Sequence, residues 1–185
     1  MGISDNFYDY SSFDDERLRG ILDGWDGLGG AHGLLIKKCA ILMIGETVLD
    51  VGCGYGHLHE ALISKRYKPM PLKQYVGIEK SPRILKWARE RNPELDIRFG
   101  DLYNLDLASL GKFDTVYAIG LYRMEPESPH GIHQLANHAS KCIILTYFAK
   151  NLGAVPEVLK IPHFTHEFID HNIIENMEIM RMWRV

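Results

Sequence analysis

Cysteine is scarce: Cys39, Cys53 and Cys142 are the three in 185 residues. An odd, widely spaced set supports neither a disulfide framework nor a zinc site of the paired CxxC kind, so the three read as reduced thiols. No basic segment followed by an apolar stretch and a small-residue cleavage site opens the chain, and a cytoplasmic protein is expected. Long apolar runs are lacking too. The longest, Cys39 to Ile44 behind Leu34 to Ile36, is broken by Lys37 and Lys38 and falls short of the roughly 20 residues that span a bilayer, so no membrane partner is expected. No charge of one sign dominates: 21 Lys+Arg against 24 Asp+Glu leave −3, which gives no general pull toward a nucleic-acid backbone. Repeats and low-complexity stretches are missing, which sets aside solenoids and linkers. What is present is 46% hydrophobic residues against 24% charged, enough for a buried core in about one domain at roughly 150 residues per domain.

The first 45 residues read as an N-terminal helical cap, with the main domain at 46–185. Ser12 is a capping residue, Asp14, Asp15 and Glu16 suit a first helical turn, and Leu18, Ile21, Leu22 and Trp25 follow at helical spacing. Gly27, Gly29, Gly30 and Gly33 then break regular structure before a mostly apolar helix, Leu34 to Ile44. Beyond Gly45, strand patterns at Thr47–Val51, Tyr75–Glu79, Ile97–Phe99, Asp114–Ile119 and Cys142–Phe148 alternate with helical ones. The helices are Leu58–Ser64, Pro82–Arg91 with Ser81 as N-cap and Asn92-Pro93 as stop, and a stripe at Ile132, Leu135, Ala136 and Ala139. Such alternation predicts an α/β fold: a Rossmann-like, largely parallel sheet with helices on both faces. Near the end, Phe164 and Ile169 flank Thr165 as a hydrophobic staple, which predicts a helix from His166 to about Ile174 before a last strand, Met177–Val185.

The most informative segment is Val48-Leu49-Asp50-Val51-Gly52-Cys53-Gly54-Tyr55-Gly56, an apolar strand ending in three alternate glycines. Glycines there let the backbone take φ > 0 or approach a ligand at the carboxyl end of a strand. A dinucleotide turn, G-x-G-x-x-G, would need glycine where His57 stands. Asp50 adds a carboxylate suited to an ammonium group and hostile to a phosphate. Val76-Gly77-Ile78-Glu79 ends the next strand in an acid placed to accept ribose hydroxyls. After the third strand, in Arg98-Phe99-Gly100-Asp101-Leu102, Asp101 is placed to accept from an adenine amino group and Leu102 to cover the ring. The fourth strand, from Phe113-Asp114, leads into Ile119-Gly120-Leu121.

As an ordered set from Thr47 to Phe148, these segments resemble the class I S-adenosylmethionine-dependent methyltransferases. The resemblance implies S-adenosyl-L-methionine as cofactor. Asp50, Gly52, Cys53, Gly54 and Gly56 would cradle its methionine part, and Glu79 with Lys80 its ribose. Gly100, Asp101 and Leu102 would meet the adenine, while Ile119, Gly120 and Leu121 would pass beside the methionine and the acceptor. Two departures stand out. Only Met177–Val185 is clearly a strand after Phe148, which suggests a shortened C-terminal sheet edge or a strand hidden between Val155 and Ile161. Ile119-Gly120-Leu121-Tyr122 also replaces the Asn/Asp-Pro-Pro-Tyr turn of many enzymes that methylate amino groups of DNA bases or glutamine.

A sulfonium methyl is already electrophilic, so the protein must chiefly align a nucleophile and exclude water, and a base is needed only for a protonated acceptor. Tyr122, His133 and Tyr147 are the catalytic candidates, with Arg123, Glu125 and His130 nearby in sequence. The pairs His130/His133 and His163/His166 lack the HExxH pattern, so no metal is expected, and His57 and His59 read as surface residues. By the resemblance, Phe7, Tyr8, Tyr10 and Phe13 would belong to a segment that folds over the cofactor. Residues 1–30 hold seven acids (Asp5, Asp9, Asp14, Asp15, Glu16, Asp23 and Asp26) against two arginines. Such a lid repels phosphate-rich partners and favours a small or cationic acceptor. The expected activity is methyl transfer to a small molecule, with a homodimer as a further expectation. The alternatives are a non-catalytic, cofactor-binding partner subunit, motivated by the unfinished sheet edge, and methylation of RNA or protein.

Overall fold

A computed structural model describes residues 12–64, 71–102, 107–120, 129–148, 161–171 and 177–185. Helix α1 is Asp15–Asp23, and after a 3-10 turn, Asp26–Leu28, helix α2 is Gly30–Ala40. Then follow β1 (Thr47–Val51), α3 (His57–Ile63), β2 (Gln74–Glu79), α4 (Pro82–Arg91) and β3 (Ile97–Phe99). A second 3-10 turn, Leu107–Leu110, leads to β4 (Phe113–Ala118), α5 (Pro129–His138), β5 (Ala139–Phe148), β6 (Phe164–His171) and β7 (Met177–Arg184). The strands form one sheet in the order β3-β2-β1-β4-β5-β7-β6. Strands β1 to β5 run parallel, and β7 is antiparallel to both β5 and β6. The chain winds outward from β1 through β2 to β3 and then returns to place β4 on the other side of β1. The crevice outside the carboxyl ends of β1 and β4 is therefore the topological switch point where open α/β sheets bind ligands.

At the central strands β1, β2, β4 and β5 both faces of the sheet are buried, which is why those strands read as nearly continuous apolar runs. On one face Leu49, Val51, Val76, Ile78, Val116 and Ile143 pack with Leu135 and Ala136 of α5. On the other, Val48, Tyr75, Tyr117 and Ile144 pack under α2 and α3 through Leu35, Ile36, Cys39, Leu58 and Leu62. A third cluster joins Leu18 and Leu22 of α1 to Ile84, Leu85, Trp87 and Ala88 of α4. Each large apolar side chain fully buried in these layers contributes about 1.5–3 kcal/mol.

Helix α4 starts where the sequence marks it: Ser81 Oγ accepts from the Ile84 N–H at 3.3 Å and Pro82 occupies the first turn. Helix α1 is capped by Asp14, whose Oδ1 accepts from Arg17 N at 2.8 Å, two residues beyond the expected Ser12. Helix α2 begins at Gly30 instead of Leu34 and ends at Ala40 instead of Ile44. Gly33 is here a packing residue, not a breaker: a Cβ on it would sit 2.1 Å from the Leu28 carbonyl carbon.

The C-terminal expectation requires correction. Phe164–His171 is strand β6, paired with β7 from Phe164↔Arg184 to His171↔Glu178, and not a helix from His166 to Ile174. A register shift between Phe168 and Asp170 breaks the alternation that would have marked it. Among the described residues two strands follow β5, so the expected shortening of the C-terminal sheet edge is not seen, and β6 stands as the edge strand.

Candidate functional site

The glycine turn follows β1, with φ values of 75° at Gly52, 55° at Gly54 and 85° at Gly56. Side chains with a Cβ avoid this region, so the backbone path itself demands the three glycines. The N–H groups of Gly52 and Cys53 donate to the Ile78 carbonyl at 2.8 and 3.0 Å, tying the turn to the end of β2. Gly56 N donates to Cys53 O at 2.9 Å, and the Cys53 side chain packs against Gly77, whose Cβ would lie 2.7 Å from its Sγ. Around Gly54 the position of a Cβ meets nothing within 4 Å, so bare backbone faces open space at the switch point.

Glu79 ends β2 and is 7% exposed. Its Oε2 accepts from Gly54 N at 3.1 Å and its Oε1 from Ser81 N at 2.8 Å. Burial raises its carboxyl above the ordinary value against the opposing pull of the Ser81, Gly54 and Lys80 N–H groups. A carboxylate offers about four acceptor directions, so capacity remains for a ligand hydroxyl. Asp50, 3% exposed, accepts from the Tyr75 hydroxyl at 2.6 Å through Oδ2. Burial pushes its carboxyl up to about 7, with the Tyr75 bond opposing and the Glu79 charge adding to the rise.

Further along the same rim, Gly100 N donates to the Glu79 carbonyl at 3.2 Å, Asp101 is half-buried, Leu102 is buried, and Lys80 is exposed. Gly120, with φ 77°, donates its N–H to Thr146 Oγ1 at 2.7 Å beside half-buried Ile119. The fold thus brings Gly52, Cys53, Gly54, Gly56, Glu79, Lys80, Gly100, Asp101, Leu102, Ile119 and Gly120 to the carboxyl ends of four adjacent strands. Leu121, Tyr122, Arg123, Glu125, Phe7, Tyr8 and Tyr10 lie outside the described residues. His133 is exposed on α5, whose first turn holds His130, and Tyr147 stands in β5 in register with Glu178.

One reading near the turn is overturned. His57 is not a surface residue but 5% exposed, with Nε2 3.2 Å from Asp26 Oδ1 and its ring stacked on Tyr55. Its partner lies 31 residues upstream, beyond any local signal. His59 is half-buried and edge-on to Tyr75, with ring centroids 5.0 Å apart. Tyr75 and Thr146 are supporting residues that sequence reasoning missed. A signal for Tyr75 existed: it shares strand parity with Gly77, the register partner of Asp50, and so sits diagonally on the same face. Among the described residues no three His, Cys, Asp or Glu gather as a metal site, and no helix is long and apolar enough to cross a membrane.

Residues 48–141, half of the chain, match the family model described as a methyltransferase domain. The chain belongs to the class I S-adenosylmethionine-dependent methyltransferases. Among solved structures, the magnesium protoporphyrin IX methyltransferase of Synechocystis PCC 6803, with bound S-adenosylmethionine, superposes with a TM-score of 0.65 at 18% identity, covering 95% of this chain and 99% of that one. The amino pentose methyltransferase CalS10 of Micromonospora echinaspora, also with the cofactor bound, gives 0.63 at 13% identity over 94% and 99%. At such identities the likeness is one of fold. Among curated proteins, the 235L protein of Invertebrate iridescent virus 6 is 25% identical over 132 residues, 69% of this chain, and the chain spans about half (48%) of that relative. The open backbone at Gly54 and the spare acceptor capacity of Glu79 are chemically compatible with a ligand that carries hydroxyl groups, as that family's cofactor does.

Proposed function

We propose that the chain transfers a methyl group from S-adenosyl-L-methionine to a small-molecule acceptor. The observation that carries this reading is the turn Gly52–Gly56, with glycine at positive φ at three alternate positions, pinned at Gly54 by Glu79 from the neighbouring strand. Gly52, Cys53, Gly54 and Gly56 hold the methionine part, with the Asp50 charge beneath them. Glu79 and Lys80 serve the ribose, Gly100, Asp101 and Leu102 the adenine, and Ile119, Gly120 and Leu121 line the path to the acceptor. When bound, the cofactor supplies an electrophilic methyl on a sulfonium. The protein's own task is orientation and exclusion of water, which can supply most of the acceleration. A base enters only where the acceptor is protonated; Tyr122, after β4, and Tyr147, toward the end of β5, stand ahead of His133, whose side chain is in solvent.

The acidic balance of residues 1–30 supports a small or cationic acceptor over a phosphate-rich one. The names of the two structural neighbours, a porphyrin and an amino pentose methyltransferase, point the same way. Calorimetric titration with S-adenosylmethionine and S-adenosylhomocysteine should show binding at micromolar protein. Transfer of a labelled methyl group to a panel of amines, hydroxy compounds and carboxylic acids should follow. Silence to both ligands would refute the cofactor site, and salt-sensitive transfer to total RNA instead of the panel would refute the small-molecule acceptor.

A further inference from the structure

The glycine turn is also held by residues that no strand supplies. Tyr55 and His57 flank Gly56, and both are buried, at 4% and 5% exposure. His57 Nε2 meets Asp26 Oδ1 at 3.2 Å, and Asp26 Oδ2 meets Arg91 Nη2 at 2.7 Å. Arg91, from the last turn of α4, also reaches Asp23 at 3.7 Å and lies 5.6 Å above the Tyr55 ring. Asn92 Nδ2 donates to the Tyr55 carbonyl at 3.0 Å. Trp25 stacks on His32 at 3.8 Å and meets His57 edge-on, while Leu18 and Leu22 of α1 share a buried cluster with Cys53 and Tyr55. The N-terminal helical segment and the end of α4 thus grip both neighbours of the third glycine.

A turn with three glycines at positive φ has unusual backbone freedom, and fixing each residue costs about 1–2 kcal/mol of conformational entropy. Where the folded protein has already fixed it, ligand binding does not bear that cost again. Gly52, Cys53 and Gly54 are fixed by β2 through Ile78 O and Glu79. Gly56 donates within the turn, to Cys53 O, and its carbonyl accepts from Glu60 N at 3.3 Å as α3 begins, so its orientation follows the seating of that helix start, which Tyr55 and His57 flank. Arg91 is partly exposed, and an exposed ion pair alone stabilises little. The buried end of the network, His57 against Asp26, is where loss of a partner is felt.

We propose that Asp26 and His57 are positioning residues for the glycine turn, so that the N-terminal helical segment sets the affinity of a cofactor site it does not itself form. This rests on the reading that the cofactor lies over Gly52–Gly56. Neither residue touches the ligand in that reading; both act through Gly56.

The test is calorimetric titration of S-adenosylhomocysteine into wild type, Asp26→Ala, His57→Ala, the double variant and His57→Gln, each well below its melting temperature. The expected result is a Kd about tenfold higher for either alanine variant, no further loss in the double variant, and recovery to within about threefold of wild type in His57→Gln. Glutamine keeps an N–H near the position of Nε2, so rescue separates positioning from bulk packing. Variants that melt lower yet bind like wild type would overturn the brace, as would a glutamine variant as weak as alanine. If the alanine variants do not fold, Asp26→Ser, too short to reach His57 Nε2, serves instead, and an unchanged Kd there overturns the proposal. Silence of the wild type overturns the cofactor reading, and the brace with it; equal binding by all variants overturns the brace alone.

Discussion

Replacing Asp50 by Asn keeps an acceptor for the Tyr75 hydroxyl, now 2.6 Å from Oδ2, and removes an ionisable group that is 3% exposed. Burial holds that carboxyl at about 7 against an ordinary 3.8, so through this window the folded chain keeps a proton that the unfolded chain has released. Stability therefore falls as pH rises from about 4 to about 7, and the loss is complete above it. At about 1.4 kcal/mol per pH unit, the part incurred between pH 5 and pH 8 is roughly 2–3 kcal/mol. Urea denaturation of wild type and Asp50→Asn at the two pH values measures it. The variant should gain on wild type by that amount on going from pH 5 to pH 8. A difference independent of pH would refute the reasoning, because it would place the folded carboxyl near its ordinary range. The same variant should bind S-adenosylhomocysteine more weakly at pH 8, since the ammonium group loses its charged partner: an acid costly to the fold and useful to the ligand.

Glu79→Gln leaves one of the N–H groups of Gly54 and Ser81 facing an amide donor, at a cost of about 1–3 kcal/mol in denaturant midpoint experiments. It should also raise the Kd for S-adenosylhomocysteine at least about tenfold, with unchanged binding counting against the ribose assignment. Gly56→Ala forces a Cβ onto φ 85° and within 2.7 Å of Leu95 Cδ2, so melting should fall as for a strain of at least about 1–2 kcal/mol, and binding should fall with it. Asp114 is held at about 2: burial would raise it, but the N–H groups of Glu46 and Thr47 and the Lys141 ammonium lower it. Asp114→Asn should cost about 2 kcal/mol at pH 7, and the difference should shrink as pH falls from about 4 toward 2, because a depressed acid stabilises only while ionised.

The central half of the chain was legible because its signals are local. The β1 turn needs its glycines at consecutive alternate positions, Ser81-Pro82 caps and opens α4 within one turn, and β1, β2, β4 and β5 are buried on both faces, so apolar runs mark them. What was missed depends on partners distant in sequence. Phe164, Thr165 and Ile169 satisfy a helix-start pattern, and only pairing with β7 decides for a strand. His57 follows the turn by one residue, yet its burial comes from Asp26 and Trp25, which no period links to it. Gly33 looks like a breaker until Leu28 is seen against its Cα. Tyr75 and Thr146 are polar residues in apolar strands, whose partners Asp50 and Gly120 become visible only with the register.

A crystal structure of the chain grown with S-adenosylhomocysteine tests the central claim most directly. Expected is ligand density along Gly52–Gly56, with the ribose hydroxyls within hydrogen-bond distance of the Glu79 carboxylate. Well-defined density away from that turn, or a ribose that leaves Glu79 untouched, would contradict it.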